Sequence, residues 1–198
     1  MNCIKVGITG GIGSGKSTIC KIFSCLNVPV FSSDIVSKSI LESDKIARQQ
    51  IKIAFGDNSY LESGLINKKY LGELVFSNKE KLKVLESISH PAVNRAFQQW
   101  LIEIPENTNY ILKEAAILIE TSKYKELDKL IVVTSPISLR IERVLKRENI
   151  SEQQIIDRIK MQLSDEEKLK FADYSITNDV KSRIIDQVIR IHHSILEL

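Results

Sequence analysis

The stretch Gly10-Gly11-Ile12-Gly13-Ser14-Gly15-Lys16-Ser17-Thr18 has the residue types and spacing to hold a phosphate chain. It fits G-x-x-x-x-G-K-[ST]. It lies between an apolar run, Ile4-Lys5-Val6-Gly7-Ile8-Thr9, and an apolar helical period at Ile19, Ile22, Phe23 and Leu26. Gly10, Gly13 and Gly15 carry no side-chain bulk, so the backbone can curl until several N–H groups face one spot. The N-terminus of the following helix adds partial positive charge there. Lys16 can reach β- and γ-phosphate oxygens as a point charge, and the Ser17 hydroxyl is placed to coordinate Mg²⁺. In this context the motif points to a bound nucleoside triphosphate.

Three further sets of residues could work with such a ligand. Asp34, about two residues past a second apolar run, has the chemistry to accept a proton from an attacking hydroxyl or to help hold Mg²⁺. It reads equally as an N-cap or first-turn acid of the helix that carries Ile35, Val36 and Ile40, and the two roles are compatible. Glu114 ends a third apolar run and resembles the acid of a Walker-B strand, but with Lys113 before it a surface position is the reading favoured by the residues alone. Arg140, Arg143 and Arg147 recur at i, i+3 and i+7, with Ile137, Ile141, Val144 and Leu145 assigned to the opposite side. Such a stripe either neutralises charge during phosphoryl transfer, with Glu148-Asn149-Ile150 in a closing lid, or is a solvated basic face; the latter is favoured when the stripe is taken alone.

The elements that must position these groups alternate as βαβ units do. Strands are expected at 4–9, 28–32, 109–113, 130–134 and, weakly, 174–177, which makes a five-stranded parallel sheet. In such sheets ligands sit beyond the carboxyl ends of the strands, where the loop, Asp34 and Glu114 all fall. Between the second and third strands lies far more chain than one crossover needs. Its periods read as helices: Leu71, Leu74 and Val75; then Leu82, Leu85 and Ile88; then a group from Val93 to Ile104, with Pro91 in its first turn. This insertion either holds a second substrate or is structural. Ser135-Pro136 opens a helix to about Arg147, Ser151 with Gln154 and Ser164 with Glu167 form capping boxes, and a last helix is expected to bury Ile184, Ile185, Val188, Ile189, Ile195 and Leu196. His192 shares that face as a packed histidine, while His193 faces away.

With 198 residues, 43% hydrophobic, 27% charged and a net charge of +3, the chain suits one α/β domain with insertions. Nothing in that balance calls for nucleic acid or an anionic membrane as partner. No apolar run approaches the ~18 residues of a membrane span, and the N-terminus runs into the first strand without a signal-peptide layout. The expectation is a soluble, cytoplasmic protein whose oligomeric state is unknown. Cys3, Cys20 and Cys25 lack C-x-x-C spacing and read as small core residues in a reducing compartment.

Together these residues resemble the dephospho-coenzyme A kinase family over essentially the full length. "GITGGIGSGKST" is similar to its opening, and "PVFSSD" to its strand leading to an Asp. "FGDNSYLESGLINKKYLGELVF" and "ISHPAV" look like its next two segments, and Gln162, Ala172-Asp173 and Asn178 match its C-terminal Q…A-D…N pattern. The chain departs from the family's usual residues at Ser32-Ser33, at Ala116-Ile117-Leu118-Ile119-Glu120 and at Arg140.

The resemblance implies a P-loop NTPase fold, α/β, with a five-stranded parallel sheet flanked by helices, a helical acceptor-binding insertion and a short lid. On that reading the core is 1–55 and 105–198, the insertion about 56–104 and the lid about 140–152. It implies transfer of the ATP γ-phosphoryl to the ribose 3′-hydroxyl of dephospho-coenzyme A, with Asp34, Lys16 and Arg143 catalytic. ATP would be held by Gly11, Gly13, Ser14, Gly15, Lys16, Ser17, Thr18, Arg143, Arg147 and Asn178, the last near the adenine. The acceptor would be held by Thr9, Asp34, His90 and Glu114, and Mg²⁺ by Ser17. The rivals are another small-molecule kinase acting on a nucleoside, nucleotide or shikimate-like alcohol, and a non-catalytic ATP-binding relative. A GTPase switch is disfavoured, because Asn67-Lys68-Lys69-Tyr70 lacks the Asp of N-K-x-D and follows no strand.

Overall fold

Alternation of apolar and small or polar residues sends Val6 and Ile8 of β1 (Ile4–Thr9) to one face of a sheet and Lys5, Gly7 and Thr9 to the other. The computed structural model describes residues 3–76 and 78–198, Phe76 by its backbone alone, so the side chain that ends the "GELVF" segment lies outside the description. After β1 come α1 (Lys16–Cys25) and β2 (Val30–Ser32), then α2 (Ser33–Ser43), α3 (Lys45–Phe55), a 3-10 turn at Asp57–Ser59, α4 (Lys68–Phe76) and α5 (Lys79–Ile102). The chain continues through β3 (Tyr110–Glu114), a second 3-10 turn at Lys123–Glu126, β4 (Lys129–Thr134), α6 (Ile137–Arg147), α7 (Glu152–Lys160), α8 (Asp165–Leu169), β5 (Tyr174–Thr177) and α9 (Ile184–Leu196).

By its packing the chain divides into two units, one comprising the residues up to Ser32 and from Pro105 onward, the other Ser33–Ile104. In the first, the strands pair in the order β2-β3-β1-β4-β5, all parallel. β1 is central. Ile8 and Ser32 both register with Glu114, and Thr9 registers with Val132, so these residues meet at the carboxyl edge of the sheet. Val6, Ile8, Tyr110, Leu112, Ile131, Val133 and Ile176 pack against Ile19 and Phe23 of α1 and Val188, Ile191 and Ile195 of α9. Leu130 and Val132 bury the opposite face against Ala115, Leu118 and Ile119. β4 is apolar almost throughout because both its faces are covered.

β2 begins at Val30 and not at the expected residue 28. Pro29 has no N–H for the ladder, although its carbonyl accepts from Leu112 N at 2.9 Å. α9 buries only Val188, Ile191 and Ile195, whereas Ile185, Ile189 and Leu196, expected inside, are exposed. Cys20 is buried, Cys3 half-buried and Cys25 exposed, so Cys25 is not the core residue expected.

The second unit is helical, around Ile40, Leu41, Ala47, Ile51, Phe55, Tyr60, Leu71, Ile88 and Ala92. Asp44 caps α3 through Ala47 N at 2.7 Å, and its two oxygens take the Arg95 fork at 2.9 and 2.8 Å. The sequence reading set the unit's start near residue 56, but α2 and α3 bury their apolar faces within this helical core, which moves it to Ser33. Pro91 does not open a helix. It lies on the exposed side of a continuous α5, whose neighbours Ile88 and Ala92 are buried, so core packing outweighs the one backbone hydrogen bond that a proline removes.

Candidate active site

Gly15 ends the loop after β1 in a left-handed conformation (φ 95°) and starts α1 at Lys16, and Gly13 is also left-handed at φ 76°. Only glycine takes these values without strain. The loop thus delivers the chain into a helix N-terminus whose first amides have no intrahelical acceptors, the local structure that favours an anion. The Lys16 ammonium is folded back onto the loop at 2.9 Å from Gly10 O, and the hydroxyl-bearing residues Ser17 and Thr18 are exposed.

A shell of side chains grips the loop by its carbonyls. Asn178 donates Nδ2–H to Ser14 O at 2.8 Å. Arg143 Nη1 approaches Gly13 O and Ser14 O at 3.4 and 3.5 Å and Ser135 Oγ at 3.0 Å, while its Nη2 donates to Asn178 O and Oδ1, each at 3.2 Å. Arg140 Nε donates to Ile12 O at 2.9 Å, and Ile12 N donates to Gln162 Oε1 at 2.8 Å. A peptide unit is planar and trans, so its C=O and N–H point opposite ways. Carbonyls of Ile12 and Ser14 held from one side turn the N–H groups of Gly13 and Gly15 to the other.

This shell corrects the arginine stripe. Arg140 is 4% exposed while Ile137 and Leu145 are exposed, so α6 turns Arg140 and Val144 inward and the reading of a solvated basic face fails. Burial lowers the Arg140 pKa, with Asp165 at 3.3 Å opposing. Arg147 instead pairs with Glu148 at 2.6 Å and is largely exposed. Glu148 also receives Arg158 at 2.9 Å, and these bonds, Arg147's first, hold its carboxyl below the usual range. Arg140 and Arg143 are both bound to the phosphate-loop carbonyls, so the stretch of about 140–152 expected as a lid opens with residues held on the loop.

At the carboxyl edge of the sheet, Thr9 is fully buried and donates to Ala116 O at 3.3 Å. Glu114, favoured as a surface residue, is 5% exposed and accepts the Ser32 hydroxyl across the β2–β3 pairing. Burial pushes the Cys20 thiol up to about 12; the Glu114 charge adds to the rise and Lys16 opposes it. Behind this edge lies an ion pair not foreseen from spacing. Lys168, fully buried, donates to Glu120 Oε1 at 2.7 Å and to Ala116 O at 3.4 Å, and Glu120 Oε1 also takes Leu163 N at 3.1 Å. No periodic signal links a residue of α8 to a turn 48 positions earlier.

Asp34 and His90 belong to the helical unit. Asp34 is the second residue of α2, in its first turn as expected, and half-buried; its carboxylate has no ion-pair partner among the described residues. His90 is exposed on α5.

A parallel sheet with this loop at the carboxyl end of its central strand defines a P-loop kinase-type protein, and the shikimate kinase structure from Bacteroides thetaiotaomicron shares the fold at TM-score 0.52 over 98% of this chain and 99% of that one, with 16% identity. The model of the family "Dephospho-CoA kinase" matches residues 4–183. The chain belongs to the dephospho-CoA kinase family. It is 37% identical over 188 residues to the dephospho-CoA kinase of Bacteroides fragilis, covering 95% of this chain and 91% of that one. The dephospho-CoA kinase structure from Campylobacter jejuni is 30% identical and superposes with a TM-score of 0.71, covering 98% and 97%. Among the described residues, no helix is long and apolar enough to cross a membrane.

Proposed function

We propose that the chain transfers the γ-phosphoryl group of ATP to the ribose 3′-hydroxyl of dephospho-coenzyme A, giving coenzyme A and ADP, the last step of coenzyme A biosynthesis. The observation that carries this reading is the loop of residues 10–18, held by its carbonyls in a member of that family. The amides of Gly13 and Gly15 and the start of α1 take the phosphates. Lys16 leaves Gly10 O for the β- and γ-oxygens, where its charge gains more than at a neutral carbonyl. Arg143 keeps the loop rigid and adds positive charge beside it. Asp34 accepts the proton of the attacking hydroxyl. Its place two residues beyond β2 and its freedom from a protein cation suit a base. Glu114 and His90 are assigned to the acceptor, Asn178 and Arg147 to ATP; Thr9, fully buried with its hydroxyl on Ala116 O, supports the sheet edge instead of touching the acceptor.

No group of three or more acidic, histidine or cysteine side chains among the described residues could hold a metal by itself. That fits Mg²⁺, which keeps several waters and binds through substrate phosphates plus one or two protein oxygens, here the exposed Ser17 hydroxyl. When bound, it neutralises charge on the β- and γ-oxygens.

Purified protein incubated with Mg-ATP and dephospho-coenzyme A should yield coenzyme A by mass spectrometry, with one ADP per product. Turnover of shikimate or a nucleoside in its place would reassign the acceptor, and no product from any of them would make the chain a non-catalytic ATP-binding relative.

A further inference from the structure

We infer that Arg140 and Gln162 are positioning residues for phosphoryl transfer, which hold Ile12 by its carbonyl and its amide and so set the direction of the Gly13 N–H in the phosphate-binding loop. The inference rests on the reading that this loop binds ATP.

Arg140 is committed to the loop along its whole length. Its Nε bonds Ile12 O, and its backbone carbonyl lies so close to Gly13 that a Cβ there would come within 2.4 Å. Its Nη2 covers Gly11 so tightly that a Cβ would meet it at 2.0 Å. Gly11 has no positive φ, so the lack of a side chain at this position serves the contact with Arg140 and not a backbone turn. The far side of the guanidinium is tethered by Asp165 Oδ1 at 3.3 Å, and Asp165 Oδ2 takes Ser135 N at 3.3 Å. A guanidinium is suited to this because its donors are fixed in one plane, so pairing with Asp165 also fixes the direction of Nε.

Gln162 grips the same residue from its other end. It follows α7 by two positions and accepts Ile12 N–H at 2.8 Å. With both ends of Ile12 held, the peptide joining it to Gly13 cannot rotate. That matters because Gly13, at φ 76°, is the residue most free to let the peptide flip. A flip would present the Ile12 carbonyl oxygen to a phosphate where an amide should stand. Neither side chain needs to touch ATP to act this way. The two grips come from α6 and from the α7–α8 connection, so the segment beyond the Glu148 turn is mechanically tied to the loop.

The test compares Arg140→Met, Gln162→Leu, the double variant and Lys16→Ala. Readouts are steady-state kinetics for each substrate, calorimetric ATP binding and thermal melting. Arg140→Met and Gln162→Leu should each lower kcat/KM for ATP about 10- to 100-fold, the range expected when a reacting group is misplaced by ~1 Å, while KM for dephospho-coenzyme A stays within about twofold. Because both act through Ile12, the double variant should be about as impaired as the worse single one. Gln162 is only half-buried, so its variant decides the matter if Arg140→Met does not fold. Unchanged ATP parameters in Gln162→Leu, or multiplicative losses in the double variant, would overturn the inference while the loop reading survives. Normal ATP binding by Lys16→Ala would overturn both.

Discussion

Asn178 donates its side-chain amide to the carbonyl oxygen of Ser14 at 2.8 Å across 164 positions of sequence, and a Cβ on Gly15 would come within 2.0 Å of the same nitrogen. The contact joins the end of β5 to the loop after β1. It holds one peptide so that its other end, the Gly15 N–H, faces away from Asn178. Asn178→Asp puts an acceptor against an acceptor at this point. It should lower kcat/KM for ATP by at least about tenfold, the scale of leaving a buried carbonyl unsatisfied, as read from initial rates at varied ATP.

Asp34→Asn keeps the size and most of the shape of the side chain but removes the base. A positioned base is worth about 10² to 10⁴ in rate. The variant should lose that much kcat while calorimetry still finds ATP binding. Turnover near the parent rate would remove Asp34 from the chemistry.

Lys168 and Glu120 form a deeply buried ion pair, with 0% and 18% side-chain exposure, and Glu120 Oε2 is buried without a hydrogen-bond partner. Lys168→Met strands the carboxylate and should cost about 3 kcal/mol, or roughly 6–12 °C of melting temperature. Replacing both partners with apolar residues should recover much of that loss. A single variant as stable as the parent would show the pair to be dispensable.

Stability should also weaken in mild acid. His192 Nδ1 lies 2.7 Å from the buried Tyr110 hydroxyl, and burial, with a smaller push from His193, lowers its pKa below the ordinary 6.5. The unfolded chain therefore takes up this proton at a higher pH than the fold does. The contribution is complete above about pH 6.5 and is lost as pH falls through the lowered folded value. His192→Gln should melt with less acid sensitivity than the parent as pH falls below about 6.5. Parallel melting curves for the two proteins would rule the histidine out.

Local chemistry was largely legible in the linear chain. Glycines at 13 and 15 announce a left-handed loop, the boxes at Ser151–Gln154 and Ser164–Glu167 close as written, and period-two and helical apolar spacing marks five parallel strands and the helices around them. Each of these is decided by steric limits or hydrogen bonds within a few residues.

Which way a polar side chain points was not decided at that range. The triplet Arg140, Arg143 and Arg147 has the spacing of a solvated stripe, yet two of its members reach back to carbonyls 128 and 130 positions earlier and the third pairs with its neighbour. Glu114 reads as an exposed strand end until β2 lies beside it with Ser32. Pro91 reads as a helix start until packing carries α5 through it. In every case the outcome depends on which backbone groups another element leaves without a partner. Burial makes satisfying those groups compulsory, and only the assembled sheet and helices determine where they are.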